Sequence, residues 1–376
     1  KDIKEKNLKK PNPHHHYIKK KKMKLALITD THAGARNDSA IFNNFFMDFY
    51  ENHFFPTIKE RGVETIIHLG DLFDRRKYIN FNTLSSWREK FFKPCQEYPC
   101  HFILGNHDVY YKNTNDVAST DLLLREYNFE IYNTPKEVKF GTLDILFMPW
   151  INDENYEECI DAIKETTSQV MFGHFQVDGF EMHSGVYSQE GLKKNIFEKF
   201  DIVLSGHFHH KSDNGTLYYL GAPYEMTWQD YADQRGFHIF DTESRELEFI
   251  PNEKVIFKKI YYDDTNKDFT DIVNADYSEY KNCYVKVVVQ KKSDSYLMEQ
   301  LIQRIEQNDP SSVVVVDTHI DSMISDQLIE DIEAEDTMSI VSRYIESLET
   351  NVNKGELDIL MRDLHTEALQ TEFIIQ

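Results

Sequence analysis

No stretch of this sequence stays apolar for anything near the ~20 residues that a helix needs to cross a bilayer, and the mean hydropathy is -0.57. A membrane-spanning role is set aside, and a soluble chain is expected. Cysteine is scarce. Cys95, Cys100, Cys159 and Cys283 form no Cys-x-x-Cys pair, which argues against a thiolate zinc site or a disulfide framework. Reduced core thiols in a cytoplasmic protein are expected instead. Positive charge is also short, with 42 Lys and Arg against 64 Asp and Glu and a net charge of -22. Such a chain does not coat nucleic acid nonspecifically. A metal-dependent enzyme acting on nucleic acid survives this exclusion, because bound cations and a local basic patch can reverse the field where it matters.

The charge is unevenly spread. Residues 1–22 hold nine Lys against Asp2 and Glu5, with no apolar periodicity and no signal-peptide core. They read as a basic leader, disordered or not native, with Met23 as the expected start and His14-His15-His16 as part of a leader or cloning scar. Residues 317–336 carry eight acids and no Lys or Arg, the composition of a linker. Residues 337–376 hold two amphipathic stretches. Ile340, Val341, Tyr344, Ile345 and Leu348 share one helical face, as do Leu357, Leu360, Met361, Leu364 and Ala368.

Between these ends, strand and helix signals alternate. Strands are expected at Lys24–Thr29, Thr65–Leu69, His101–Leu104, Leu143–Trp150, Gln169–Phe172 and Asp201–Ser205. Helices are expected at Ile41–Lys59, Phe81–Phe92, Val117–Tyr127 and Glu154–Glu165. Short strands follow at Leu217–Leu220, Phe237–Phe240 and Leu247–Ile250. Residues 23–252 thus read as one α/β domain of two packed sheets with helices outside. A composition shift opens a second unit at 253–316, a small βαβ module made of Tyr284–Gln290, Ser293–Gln307 and Ser312–Val316.

Five of the strands end in polar sets: Asp30-Thr31-His32, Gly70 to Asp74, Gly105-Asn106-His107-Asp108, Gly173-His174, and Gly206-His207-Phe208-His209. Gly105 is expected to let the backbone turn sharply. One such set is more often a turn or a helix cap. Five in succession, each closing a strand, point to a site at the carboxyl edge of a sheet. The candidate ligands are Asp30, His32, Asp71, Asn106, His174, His207 and His209. Imidazole, carboxylate and amide donors without thiolate suit Mn²⁺, Fe or Zn better than Mg²⁺. Seven ligands are too many for one ion and suit two that share a carboxylate. Two divalent cations against two aspartates leave a positive centre able to hold a hydroxide and a phosphodiester. His53, His68, His101, His183, His210 and His238 are expected to be packing or surface groups, with His68 the one nearest a supporting role.

The five motifs resemble those of the calcineurin-like metallophosphoesterase superfamily. Gly70-Asp71-Leu72-Phe73-Asp74-Arg75-Arg76-Lys77, Met148-Pro149-Trp150 and the run from Arg235 to Thr242 are similar to SbcD-type DNA repair and recombination nuclease subunits, including the shorter version found in T-even phages. The likeness covers Met23 to the C-terminus. It implies an α/β two-sheet metallophosphoesterase core sandwich flanked by helices, a small capping and DNA-binding module, and a helical tail that docks an ATPase. It also implies Asp30, His32, Asp71 and His209 on one metal and Asp71, Asn106, His174 and His207 on the other. His107 becomes the catalytic histidine that positions the phosphate and helps protonate the leaving oxygen. Asp74, Asp108, Arg75 and Arg76 become supporting groups or phosphate contacts.

The same resemblance implies two Mn²⁺ ions, exonuclease and single-strand endonuclease action on DNA ends, hairpins and single strands, and an SbcC-type ABC ATPase partner. A homodimer is expected through the helices Phe81–Phe92 and Val117–Tyr127, with Leu84, Trp87, Leu122 and Leu123 as apolar contacts. Location is expected to be cytoplasmic, in the host if the chain is phage-encoded. Asp74-Arg75 is also similar to the Gly-Asp-x-x-Asp-Arg-Gly of protein phosphatases, but Arg76 stands at their Gly and Asp108 at their Glu. A calcineurin-like phosphatase or phosphodiesterase is the rival enzyme, and it has no use for the second module or the tail. A non-catalytic DNA-end scaffold is the other rival, and no ligand is missing to support it.

Overall fold

The computed structural model describes residues 22–183 and 185–317, together with residues 345, 354, 355, 357 and 359–361. The leader expected at 1–22, the linker at 317–336 and the tail at 337–376 lie outside the described residues, apart from Lys22, Asp317 and the few just named. The chain divides into two compact units between Ile256 and Phe257. Among the described residues no helix is long and apolar enough to cross a membrane.

Two six-stranded sheets build the first unit. One runs Leu247–Pro251, Gly236–Asp241, Lys24–Ile28, Thr65–His68, Cys100–Ile103 and Glu130–Tyr132 across its width. Its last four strands are parallel. The other runs Ser212–Asp213, Leu217–Tyr219, Ile202–Gly206, Val170–His174, Leu143–Met148 and Lys136–Phe140, with the middle four parallel. The strands at Glu130–Tyr132 and Lys136–Phe140 are additions to the expected set. They are short, charged edge strands whose sequence lacks an apolar run.

The sheets face each other across one apolar layer. Leu25, Leu27, Ile67, Leu69 and Ile103 meet Ile145, Phe147, Val170, Phe172 and Leu204 in a single buried cluster. At ~1.5–3 kcal/mol for each large side chain fully buried, this layer is the main favourable term holding the sandwich. The alternate residues are buried too: Leu146, Met148, Met171 and Val203 pack with Cys159 and Ile163 of the helix Tyr156–Glu165. Burial on both faces explains why these strands read as continuous apolar runs. All four cysteines are free and buried, as expected.

The helices expected at Ile41–Lys59 and Phe81–Phe92 share a feature that propensity does not give. Each contains a π-helical turn, Tyr50–Phe54 in one and Arg88–Phe92 in the other. In both, a proline (Pro56 or Pro94) follows the last π residue by two positions. Proline has no N–H and its ring crowds the carbonyl four residues back, so a widened turn accommodates it without ending the helix. The helix expected at Val117–Tyr127 is shorter, an α-turn at Ser119–Leu123 and a 3₁₀ turn at Arg125–Tyr127. Val117 and Ala118 are drawn instead into a bridge with Val109, where Tyr110 N donates to Val117 O at 2.8 Å. Trp87, expected at a dimer contact, is a fully buried core residue at 0 % exposure, whereas Phe81 is 88 % and Leu122 62 % exposed.

The second unit is a three-stranded parallel sheet, Phe257–Asp263, Tyr284–Lys291 and Ser312–Asp317, with helices Phe269–Asn274 and Ser295–Glu306 in its crossovers. The expected βαβ module is therefore extended by one strand and one helix. Lys258 and Lys259 break the apolar pattern of the first strand, which hides it from a periodicity argument.

Candidate metal centre

Every expected ligand emerges at the carboxyl end of a parallel strand, from both sheets. Asp30 and His32 follow Lys24–Ile28, Asp71 follows Thr65–His68, and Asn106 follows Cys100–Ile103. His174 ends Val170–His174, and His207 and His209 follow Ile202–Gly206. Main-chain bonds stitch these turns together. Asp30 N donates to Gly70 O at 3.0 Å and His32 N to Asp71 O at 3.1 Å. His107 N donates to Asp71 Oδ1 at 2.8 Å, and His207 N to Asp30 Oδ1 at 3.0 Å.

The turns are tight enough to force unusual backbone. Asp30, His32, Asp71 and His207 have φ of 51°, 42°, 55° and 95°, where a non-glycine residue costs about 1–3 kcal/mol. Gly70, at φ 101°, is a turn glycine. Gly105 serves differently from expectation: its φ is not left-handed, but an added Cβ would collide with the backbone N and carboxylate of Asp71. It is there for close approach.

The donor atoms converge in three overlapping groups: Asp30, His32 and His209; His32, Asp71 and His107; and Asp71, His174 and His207. Within each group they lie within 4.8 Å of one another. His32 Nε2 and His209 Nε2 face each other at 3.0 Å. Asn106 Oδ1 lies 2.8 Å from His207 Nδ1 and 3.1 Å from His174 Nε2. His174 donates from Nδ1 to Leu69 O at 2.8 Å, which turns Nε2 toward Asp71 Oδ2 at 3.3 Å. Asp71 belongs to two of the three groups, and so does His32.

The electrostatics fit a cation. Burial holds His32 and His207 down at about 3, leaving neutral rings with free lone pairs, and drives His209 well below its usual range. Burial also pushes Asp30 up to about 6, the expense of packing carboxylates together without water. Burial is the largest influence and works against a charged His174, yet Asp71, Asp30 and the Leu69 carbonyl together raise that ring to about 9. Buried His32 Nδ1 has no hydrogen-bond partner among the described residues. This donor set matches divalent-ion ligation, with oxygen and imidazole nitrogen and no thiolate.

Supporting groups differ from one another. Asp108 accepts four backbone N–H bonds, from Gly105 and Asp71 at 2.9 Å on one oxygen and from Leu72 at 2.9 Å and Phe73 at 3.3 Å on the other. It ties the Asp71 and His107 turns, while burial and then the Asp71 charge push its carboxyl up to about 7. His107 donates from Nδ1 to Asp74 O at 2.6 Å, which leaves Nε2 free. Burial opposes a charged His107, and Asp71 and the Asp74 carbonyl prevail, raising it. Asp74 Oδ1 is 3.6 Å from His32 Nδ1. Arg75 is turned toward Asp38 and Asn37 and lies over Tyr78. Arg76 feels the charges of Asp71 and Asp108, and its buried Nη1 has no partner among the described residues.

Three groups escape a sequence reading. Thr29 Oγ1 donates to Asp30 Oδ2 at 2.8 Å. Arg235 donates to the carbonyl of His209 and pairs with Asp230 and Asp233. The ring of Trp150 lies 5.3 Å from that of His207 and 6.0 Å from that of His174. His68 does support the site, through Thr31 Oγ1 at 2.9 Å and Gly70 N at 3.2 Å. His101 bonds the Tyr132 hydroxyl and His210 bonds Asp233.

Comparison with known proteins gives the family of the chain. Exonuclease subunit 1 of Enterobacteria phage T4 is 33% identical over 270 residues, 71% of this chain and 77% of that protein. The SbcD component of the SbcCD nuclease of Staphylococcus saprophyticus is 22% identical over 270 residues, 61% of this chain and 69% of that protein. A solved archaeal phosphodiesterase covers 61% of this chain at 16% identity with a TM-score of 0.30. Residues 23–211 match the calcineurin-like phosphoesterase family. They include all five turns that carry the candidate ligands, and the chain belongs to that family of metal-dependent phosphoesterases.

Proposed function

We propose that the chain is the nuclease subunit of a DNA end-processing complex and hydrolyses phosphodiester bonds at a two-metal site. The observation that carries this is the convergence of three donor groups that together hold two carboxylates and five imidazoles, with Asp71 in two of them. The names of the T4 and staphylococcal relatives supply the substrate class. Asp30, His32, Asp71 and His209 would hold one ion and Asp71, Asn106, His174 and His207 the other, with Mn²⁺ the best match. Bound divalent ions lower the pKa of a water nucleophile and neutralise phosphate oxygens.

The remaining chemistry belongs to side chains. His107, held through Nδ1, presents Nε2 for a proton to the leaving oxygen, and the neighbouring Asp71 charge favours its protonated form. Arg76, with a buried Nη1 unpartnered among the described residues, is the better phosphate contact, since Arg75 is taken by Asp38 and Asn37. In this reading the exposed Phe81 and Leu122 contribute to a homodimer contact. The amphipathic residues within 337–376 dock an SbcC-type ATPase, and the protein works in the cytoplasm. The test is cleavage of end-labelled single-stranded and hairpin DNA with Mn²⁺, beside a phosphomonoester. Turnover of the monoester alone would refute the nuclease assignment. Deleting residues 337–376 should abolish ATPase binding and leave single-strand cleavage intact.

A further inference from the structure

A cleft of about 180 Å³ opens beside the metal centre, walled by Trp150, Tyr156, His174, Gln176 and Leu192. His174 belongs to both, since it lines the cleft and contributes to the Asp71–His174–His207 donor group. Among the described residues no Lys or Arg lines the cleft and Asp153 does, so a second phosphate is excluded as its occupant. Its volume lies below the ~300 Å³ at which sites for drug-sized ligands begin, which suits one ring system rather than a whole nucleotide. Aromatic and aliphatic walls with the amide of Gln176 fit an uncharged heteroaromatic group.

Trp150 is fixed in place for such a role. Its N donates to Leu104 O at 2.8 Å. Its carbonyl accepts from Asn155 Nδ2 at 3.0 Å and Asn115 Nδ2 at 3.1 Å. Asn115 is held in turn by Asn152 Nδ2 at 2.8 Å. These bonds fix the main chain of Trp150, and its ring lies beside those of His207 and His174; a residue placed beforehand loses less freedom when a ligand stacks on it. Tyr156, at the start of the helix Tyr156–Glu165, lines the same cleft and is 48 % exposed.

We propose that this cleft takes one unpaired nucleobase next to the scissile phosphate, stacked against Trp150 and Tyr156. The inference rests on the nuclease reading and adds a base-binding position to it. A phosphate held at the shared donor group brings its own nucleoside alongside His174, and the cleft is the apolar surface it meets there. Stacking is indifferent to base identity, so the site favours single strands without imposing sequence.

The test compares kcat/KM on a single-stranded oligonucleotide with that on bis(4-nitrophenyl) phosphate, using the Mn²⁺-loaded full chain. Tyr156→Ala should lower the ratio of the two by roughly 5- to 100-fold, the range of one lost base stack. Tyr156→Phe should restore it. An oligonucleotide with an abasic residue beside the cleaved bond should lose a similar factor with the wild type, and Tyr156→Ala should then add nothing. An unchanged ratio would overturn the proposal, as would an equal Tyr156→Ala penalty on abasic and intact DNA. A wild type that turns over the small diester and leaves all DNA intact would instead refute the nuclease reading beneath it.

Discussion

Replacing Arg235 by methionine should weaken both the fold and the metal centre, and the structure gives the size of each effect. Arg235 is 4 % exposed, and its guanidinium lies 2.6 Å from Asp230 and 2.9 Å from Asp233. It also donates to the carbonyl of His209, which accepts Ala222 N at 3.0 Å as well. Asp230 is 1 % exposed and accepts from Met226 N and Thr227 N. Methionine keeps much of the stem volume and leaves the Asp230 charge buried without its cation. Breaking a buried pair in this way costs about 3–5 kcal/mol, a large part of the ~5–15 kcal/mol that holds a typical domain. Because Arg235 fixes the backbone at His209, a proposed ligand, Mn²⁺ affinity should also fall by ~10–100-fold. Urea unfolding in chelator reads the first effect without metal linkage, and titration calorimetry with Mn²⁺ reads the second. Arg61→Met is the control. Its pair with Glu248 is 38 % and 43 % exposed, so the loss should stay within ~1 kcal/mol. An Arg235→Met variant as stable as that control, with wild-type Mn²⁺ affinity, would refute the reasoning.

His107→Ala should retain both ions by elemental analysis and lose ~10²- to 10⁴-fold in DNA cleavage, the usual contribution of a general acid; loss of metal would reassign His107 as a ligand. Asp71→Ala should lose activity and hold fewer than two ions per chain, and two ions in that variant would exclude the shared carboxylate. Excess chelator should lower the Tm of the wild type, since ligands that bind only the native state add about 2.7 kcal/mol at a hundredfold excess over Kd; a Tm indifferent to chelator and to added Mn²⁺ would contradict a folded-state metal site. Burial holds His238 at about 3 against an ordinary 6.5. Above 6.5 it is neutral folded and unfolded, and below 6.5 only the unfolded chain takes the proton. His238 should therefore contribute a loss of stability toward pH 3 of up to about 1.4 kcal/mol per pH unit, and His238→Leu should reduce the slope of urea midpoints between pH 4.5 and 6.5 by that share.

That the seven candidate ligands and His107 gather in one place was legible in the sequence because each follows an apolar run that reads as a strand, and parallel strands bring their carboxyl ends to one edge. What could not be read depends on contacts between distant segments. Arg75 and Arg76 look equivalent in sequence, and only the presence of Asp38 and Asn37 separates them. Arg235 reaches a carbonyl 26 positions away, and no local pattern announces it. Trp150 belongs to a recognisable Met-Pro-Trp run, yet its contact with His207 exists only once the strands Leu143–Met148 and Ile202–Gly206 pair on either side of Val170–His174 in one sheet. The first strand of the second unit was missed because Lys258 and Lys259 interrupt it. Gly105 was recognised for the wrong property: a turn needs a glycine for its φ, and here the carboxylate of Asp71 needs the missing Cβ.

The strain at the ligands follows from the same geometry. A side chain at the end of a strand points along the sheet face or away from it, whereas a shared centre between two sheets requires donors from both to converge on one point. Left-handed φ at Asp30, His32, Asp71 and His207 bends each strand end sharply inward. At ~1–3 kcal/mol apiece, four such residues cost an amount comparable to a domain's whole net stability. Local bonds offset part of this: Asp30 and Asp71 each accept an N–H from the neighbouring turn, and Asp108 gathers four more. Those bonds bring carboxylates and imidazoles close together out of water, and burial raises Asp30 and keeps the rings of His32 and His207 neutral, while the Asp71 charge beside His174 and His107 acts the other way. Backbone strain, buried acids and neutral imidazoles are thus three consequences of one convergence, and a divalent cation bound among the donors relieves the electrostatic part directly.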